Sequence, residues 1–165
     1  MLDAAEQARD VQWMRKALTA ASEARSRAEI PVGACVVAGD GETLLASAGN
    51  RTRTDCDPTA HAEIIALRDA AQRAGNYRLT GAVVYSTIEP CSMCAGALVQ
   101  ARVRRLVYGA RDERFGAVES QFRLCDASAS NHRIEITSGV LEEECRELMQ
   151  EFFRERRRKA VMGDE

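Results

Sequence analysis

The chain has 165 residues, of which 45% are hydrophobic and only three are proline. This length suits one compact fold with a buried core, so residues 1–165 are expected to form a single domain. The formal net charge of −2 argues against a protein that coats nucleic acid indiscriminately, although it is compatible with a local basic patch. No apolar run approaches the roughly 20 residues of a membrane span, and the N-terminus lacks a signal-peptide pattern. A cytoplasmic location away from membranes is therefore expected.

The first half of the chain predicts a helix, a hairpin and a second helix. Apolar residues recur at helical spacing over 8–28, which predicts an amphipathic helix. Residues 32–38 and 43–48 are short apolar stretches joined by a polar link with an Asp-Gly pair, so antiparallel neighbouring strands are predicted. After a polar segment, residues 61–74 again show a helical pattern.

The second half alternates strands with helices. The predicted elements are a strand over 82–87, a helix over 91–101, strands over 105–108 and 133–136, and a last helix with an apolar stripe over 141–152. Residues 110–132 show no clear period, which indicates a functional loop or an undetected helix. A hairpin followed by this alternation predicts an α/β fold, a three-layer α/β/α sandwich with a five-stranded mixed sheet.

Two short motifs carry candidate chemistry, His61-Ala62-Glu63 and Pro90-Cys91-Ser92-Met93-Cys94. Cys91 and Cys94 lie about one helical turn apart, so both sulfurs can approach one ion. If the strands before the two helices are adjacent and parallel, both helix openings meet at the carboxyl edge of the sheet. We therefore predict a Zn²⁺ site with His61, Cys91 and Cys94 as ligands. Three protein ligands leave a fourth position to water, as in catalytic zinc sites.

Glu63 follows His61 by two residues and is predicted to reach the activated water without being a ligand. There it can carry protons as a general acid and base, so that an amine on a base is replaced by a carbonyl. The remaining cysteines, Cys35, Cys56, Cys125 and Cys145, show no paired spacing and are interpreted as reduced structural residues. A role for Cys56 as a fourth ligand is disfavoured.

His-x-Glu followed by Pro-Cys-x-x-Cys resembles the signature of the zinc base deaminases. More specifically, the chain resembles the bacterial tRNA adenosine deaminases, within the cytidine and deoxycytidylate deaminase superfamily. The matching segments, which span nearly the whole chain, are 29–34, 49–50, 57–64, 89–97, 108–112, 131–133 and 152–154. The resemblance implies a cytidine-deaminase-like fold, one zinc ion per subunit and a homodimer. It also implies conversion of the wobble adenosine in a tRNA anticodon loop to inosine.

The resemblance further assigns substrate contacts by matching position. It implies that Asn50 contacts the flipped nucleoside and that Ala60 and Glu89 are pocket walls or polar contacts. Asp112, Asn131 and His132 match positions that line the groove for neighbouring nucleotides. Two alternatives stay open, because Asn50 can be a turn residue after Gly49 and Asp112 can be a loop or capping acid.

A basic run and a divergent segment bear on RNA binding. The basic run, at the predicted end of the last helix, consists of Arg154, Arg156, Arg157, Arg158 and Lys159. Its cations are predicted to contact RNA phosphates, although a solvated helix end favourable to the helix dipole is the alternative. After Val118 the family usually continues with glycine, where this chain has Glu119, and 121–130 also departs from the family pattern. We therefore expect the divergence to affect RNA specificity more than the chemistry.

Two other functions compete with deamination of tRNA. The same zinc chemistry serves deaminases of free bases or nucleosides such as cytosine, guanine or cytidine. A non-catalytic RNA-binding protein with a structural zinc ion is the second alternative, and the presence of Glu63 argues against it.

Overall fold

The structure is a computed structural model and describes residues 2–163. The outermost positions of the predicted domain, residues 1, 164 and 165, lie outside this range. The elements are α1 (Ala4–Ser26), β1 (Gly33–Val37), β2 (Leu44–Gly49), α2 (Ala62–Ala74), β3 (Val83–Ile88), α3 (Ser92–Gln100), β4 (Arg105–Ala110), β5 (Glu135–Ser138) and α4 (Glu142–Met162). In this part of the chain, none of the helices is both long and apolar enough to span a bilayer.

The strands form one five-stranded sheet in the order β2-β1-β3-β4-β5. β1 pairs antiparallel with both β2 and β3, whereas β3, β4 and β5 are parallel to one another. Val84 and Leu106 belong to a core cluster with α2 and α3, while their neighbours Tyr85 and Val107 pack with α1 on the opposite face. The predicted three-layer α/β/α sandwich with a mixed sheet is therefore confirmed.

α1 packs unusually closely on the first hairpin. A Cβ atom on Gly33 would lie 1.9 Å from the carbonyl oxygen of Ala17, so only glycine fits at this position. A buried ion pair also joins α1 to the sheet, since Arg105 Nη2 on β4 lies 2.6 Å from Asp10 Oδ2. These contacts fix α1 against β1 and β4.

Several sequence-based boundaries need correction. β5 covers Glu135–Ser138, two residues later than predicted. α1 begins at Ala4, because Asp3 caps it by accepting the N–H of Glu6 at 2.7 Å. Residues 111–132 contain no helix and no strand beyond an isolated bridge at Gly116, so the loop interpretation is right and the undetected helix is not found.

The strands that lead into the two metal-motif helices are parallel but not adjacent. β2 precedes α2 and β3 precedes α3, and β1 lies between them in the sheet. The condition of adjacency is therefore not met, because β1 pairs with both strands and lies between them. Since β2 and β3 still point the same way, both helices begin at the same edge of the sheet.

Candidate active site

The three predicted metal ligands meet at this edge. His61 is the N-cap residue of α2 and Cys91 is the N-cap residue of α3, and neither side chain forms a capping hydrogen bond. His61 Nδ1 lies 3.6 Å from Cys91 Sγ and 3.5 Å from Cys94 Sγ. All three ligand atoms lie within 4.8 Å of one another, so the group could hold a metal ion.

The ionisation of the two thiols differs. The hydrogen bond from Cys94, together with His61, lowers the pKa of Cys91 to about 4. The same bond and burial raise the pKa of Cys94 above its ordinary value. The two thiols therefore titrate as a coupled pair in which Cys91 is the more acidic member. A thiolate at a helix N-terminus is the form that binds metal.

Glu63 lies in the first turn of α2 and is only 3% exposed. Burial raises the pKa of its carboxyl group above the ordinary value. The hydroxyl oxygen of Ser86 on β3 lies 3.3 Å from Glu63 Oε1 and donates its proton to the closer carbonyl oxygen of Ile88, at 2.7 Å. Sequence reasoning missed Ser86, and its only signal is a small polar residue inside the apolar strand β3.

Asn50 follows β2 and is buried beside the metal ligands. Its Oδ1 accepts the N–H of Ala62 at 2.8 Å, which satisfies the start of α2 in place of a cap from His61. Its Nδ2 forms no hydrogen bond within residues 2–163, and Asn50 lines the cavity described below. Ala60 is also buried, but it does not line that cavity.

Glu89 anchors the loop that follows β4. Its Oε1 accepts the N–H groups of Val118, Glu119 and Ser120 at 3.2, 2.8 and 2.8 Å. Its Oε2 accepts the N–H of Asp112 at 3.1 Å. Burial acts to raise the pKa of Glu89, but these bonds and the Ser120 hydroxyl lower it below 4.5, so the carboxylate is ionised. Glu89 thus lines the cavity and also positions residues 112–120.

A second buried glutamate, Glu29, anchors the loop after β2. Glu29 Oε1 accepts the N–H and the hydroxyl of Thr54 at 2.7 and 2.8 Å, and Oε2 accepts the hydroxyl of Thr52 at 3.3 Å. Burial acts to raise the pKa of Glu29, and the bonds from Thr54 outweigh it and lower the pKa. Sequence reasoning did not assign this role. Its signal in the sequence is an acidic residue between apolar neighbours, shortly before the buried strand β1. Glu89 also has apolar neighbours, but it directly follows the buried strand β3.

A cavity of about 600 Å³ opens onto the metal-ligand group. Its lining combines an apolar wall with polar and charged groups. The lining residues are Ile30, Val32, Asn50, His61, Glu63, Ile88, Glu89, Cys91, Arg111, Asp112, Glu113, Arg114, Phe115, Met149 and Phe153. Met149 and Phe153 on α4 were not predicted, although Met149 belongs to the apolar stripe of that helix.

The remaining predicted substrate contacts separate into two groups. Asp112 lines the cavity, and its Oδ1 also caps the loop by accepting the N–H groups of Arg114 and Phe115 at 3.1 Å each. His132 Nε2 instead lies 2.7 Å from the carbonyl oxygen of Val103, just before β4, and the Asn131 carbonyl accepts a bond from Arg102. Asn131 and His132 therefore lie at the amino edge of the parallel strands, and the structure does not bring them to the cavity.

The basic residues of α4 lie on two flanks of the helix. Arg154 and Arg157 line a groove of about 530 Å³ that shares Arg114, Met149 and Phe153 with the cavity. Arg158 joins Arg154 and Arg157 in the next groove along the helix. We call these two continuous grooves the α4 groove.

Arg156 and Lys159 face away from the α4 groove. They line a separate cleft with Arg25 and Arg53, and the Arg156 guanidinium stacks 5.7 Å from the ring centroid of Phe152. Helical geometry therefore divides the five cations of the basic run between two flanks of α4.

Comparison with known proteins assigns the family. A family model described as MafB19-like deaminase matches residues 8–157. The chain therefore belongs to the MafB19-like deaminases, a class that agrees with the fold and with the His, Cys and Cys group beside Glu63.

Within that class the similarity is to tRNA-specific adenosine deaminases. The chain is 47% identical to that enzyme of Haemophilus influenzae over 148 residues, which cover 90% of this chain and 85% of the relative. It is 47% identical to the Agrobacterium fabrum enzyme over 88% of this chain and 94% of the relative. The Bacillus subtilis enzyme is 41% identical over 91% and 92%. The predicted resemblance is thus confirmed.

Solved structures of deaminases are similar to this chain in fold. A structure from a study of A-to-I editing by tRNA:A34 deaminases at the wobble position is 46% identical, with a TM-score of 0.79, over 83% of this chain and 98% of that chain. A guanine deaminase from Nitrosomonas europaea is 25% identical, with a TM-score of 0.76, over 86% and 83%. The fold is thus shared across substrates, while sequence identity is higher with the tRNA deaminases.

The anchoring role of Glu89 predicts the effect of Glu89→Gln. An amide places an NH₂ group against N–H donors of the loop, so about 2 to 4 kcal/mol of unfolding free energy should be lost near pH 7. Because the pKa of Glu89 is lowered in the folded protein, the loss should shrink as the pH falls below 4.5. Urea unfolding measures both effects. Glu113→Gln, at an exposed residue of the same loop, is the control, and equal stability of both variants would contradict the role of Glu89.

Proposed function

We propose that this protein hydrolytically deaminates adenosine to inosine at the wobble position of a tRNA anticodon. The observation that carries the proposal is Glu63 buried beside the His61, Cys91 and Cys94 group in a chain whose relatives are tRNA-specific adenosine deaminases. The guanine deaminase neighbour supports a free-base deaminase as the rival function, at 25% identity against 46% for the tRNA deaminase structure.

The metal that we propose is zinc, one ion per subunit. Tetrahedral zinc binds nitrogen at about 2.0 Å and sulfur at about 2.3 Å, which separates the two ligand atoms by about 3.6 Å. The distances from His61 Nδ1 to the two sulfurs are 3.6 and 3.5 Å, so both nitrogen-to-sulfur spacings match those of a zinc site. A bound zinc ion supplies Lewis-acid activation of water at neutral pH.

Glu63 carries the protons in the proposed reaction. Its carboxylate takes a proton from the water that adds to C6 of adenine and delivers it to N1 of the ring. It then transfers the second proton to the departing amine, so that one water is consumed and ammonia leaves. Burial, which raises the pKa of Glu63, suits a group that must hold and release a proton. Ser86 lies beside Oε1 at 3.3 Å and packs against the carboxylate.

The proposed binding site takes an adenine that has left its stack, as base-modifying enzymes require. Ile30, Val32 and Ile88 offer apolar surface to the ring. Nδ2 of Asn50 offers a donor to the nucleoside, while its Oδ1 is held by α2. Asp112 lies at the loop side of the cavity, where it can contact a neighbouring nucleotide.

The RNA backbone is proposed to follow the α4 groove. This groove is continuous with the cavity and carries Arg114, Arg154 and Arg157, while Phe153 offers a ring on which a base can stack. An anticodon loop presents its bases unstacked at low cost, which suits a cavity beside a cationic groove. Homodimer formation and a cytoplasmic location stay predictions of the family resemblance and the sequence.

An inosine assay tests the function directly. The zinc-loaded protein should convert the wobble adenosine of an anticodon stem-loop RNA, and leave an adenosine elsewhere in the same loop, because only the wobble base is presented to the cavity. Free adenosine, cytidine and guanine are assayed in parallel by ammonia release. Turnover of only a free base would overturn the substrate assignment.

Glu63→Ala should retain the fold and zinc while deamination falls by at least about 10³-fold, because the proton carrier is lost. The measurement pairs single-turnover kinetics with metal content by mass spectrometry. Glu63→Gln, which keeps the side-chain volume, should be equally inactive. Turnover near the native rate in either variant would remove Glu63 from the reaction.

The division of the α4 cations predicts unequal effects on RNA binding. Arg154→Ala and Arg157→Ala should each weaken stem-loop binding and lower the slope of log K against log salt by about 0.7, as for one lost single-strand phosphate contact. Arg156→Ala, on the other flank of α4, is the matched control and should change the slope less. Fluorescence anisotropy across a salt series measures the slope for each variant. Equal slopes for all three variants would contradict the proposed path of the RNA along the α4 groove.

A further inference from the structure

Glu119 lies in the cavity loop, residues 111–120, with a side chain that the proposed chemistry does not use. Its backbone N–H is held by Glu89, and its carboxylate accepts the hydroxyl of Tyr108. The same carboxylate lies 3.9 Å from the guanidinium of Arg111. Tyr108 is fully buried in β4, so this contact joins the loop to the rigid sheet.

The partner hydroxyl stays a donor at neutral pH. Burial and the neighbouring Glu119 raise the pKa of Tyr108 above its ordinary value. A buried hydroxyl that lost its acceptor would carry a desolvation penalty, so Tyr108 holds the carboxylate of Glu119 in place.

The cavity loop touches both the cavity and the metal-ligand segment. Gly116 forms a β-bridge with Cys91, and the N–H of Ala117 donates to the carbonyl of Pro90 at 2.9 Å. Glu89 binds the loop backbone from Asp112 to Ser120 but, among the described residues, forms no hydrogen bond or ion pair with the Arg111 side chain. Of the side chains in the described residues, Glu119 is the one that ties Arg111, a lining residue, to β4.

We propose that Glu119 is a positioning residue for substrate binding, which holds the cavity loop and Arg111 against β4 through the Tyr108 hydroxyl. Loss of this contact frees the side chain of Arg111 and loosens the adjoining loop wall, while Glu89 and the Gly116 bridge still hold the loop backbone beside Cys91, so Glu63 and the metal ligands keep their places. The expected effect therefore falls on KM for the RNA and not on kcat. The KM part of the inference rests on the proposed function.

Glu119→Ala and Tyr108→Phe should each raise KM for the stem-loop RNA about fivefold to tenfold, with kcat within about twofold of the native value. The double variant should resemble Glu119→Ala, since the contact with the Tyr108 hydroxyl is already lost in that variant. Glu119→Gln keeps an acceptor for the Tyr108 hydroxyl and should restore KM to within about twofold. Glu42→Ala and Tyr77→Phe, at exposed residues away from the cavity, are matched controls and should match the native protein.

Hydrogen exchange of residues 111–120 without RNA gives a readout that does not depend on activity. Exchange there should be faster in Glu119→Ala and Tyr108→Phe than in the native protein, and native-like in Glu119→Gln. If the native protein forms no inosine, the proposed function fails while the exchange data still decide whether Glu119 anchors the loop. If Glu119→Ala does not fold, the conservative variant Tyr108→Phe tests whether the contact between Tyr108 and Glu119 anchors the loop. Unchanged exchange and KM in Tyr108→Phe, or a Glu119→Gln variant as impaired as Glu119→Ala, would overturn the proposal.

Discussion

The antiparallel pairing of β1 with both β2 and β3 is the constraint on which the site depends. Because β1 runs opposite to both neighbours, β2 and β3 must point the same way and end at the same edge of the sheet. The helices that follow them then begin side by side, with His61 and Cys91 at their N-caps. His61 precedes Cys91 by 30 positions in the sequence and Cys94 by 33. The direction of the strands thereby brings the three ligands together.

Two buried carboxylates hold the loops on either side of that edge. A charged group without partners is costly to bury, so Glu29 and Glu89 are stable only because loop N–H and hydroxyl groups surround them. The dependence is mutual, since the loop donors of residues 52–54 and 112–120 are satisfied by the same oxygens. Gly116 shows how tight this arrangement is, because a Cβ atom there would lie 2.4 Å from Glu89 Oε2. Both loops are therefore held by hydrogen bonds to buried carboxylates beneath them.

The features that were predictable from the sequence are those set by short-range spacing. Cys91 and Cys94 share a helical turn, and Glu63 follows His61 in the first turn of α2. The metal ligands and the proton carrier could therefore be predicted from the spacing of these residues in the sequence. The flanks of α4 were accessible too, because positions 154, 157 and 158 follow i, i+3, i+4 spacing and share one helix face. The bond from Asn50 to Ala62 and the contact of Ser86 with Glu63 depend on strand order, which no local pattern fixes. The position of His132 at the opposite edge depends likewise on how a long loop returns to β5.

The acidic net charge of the chain and its cationic groove are compatible because the carboxylates of α4 are directed elsewhere. Glu151 and Glu155 both pair with Arg25 on α1, on the flank that Arg156 and Lys159 share. Within residues 2–163, Arg154, Arg157 and Arg158 form no ion pair, so their charge is not neutralised locally. The electrostatic potential along the α4 groove is therefore set by unpaired arginines. The net charge of the whole chain does not determine the potential at this groove. A polyanion guided by that local potential would approach along the flank of α4 that leads to Met149, Phe153 and the cavity.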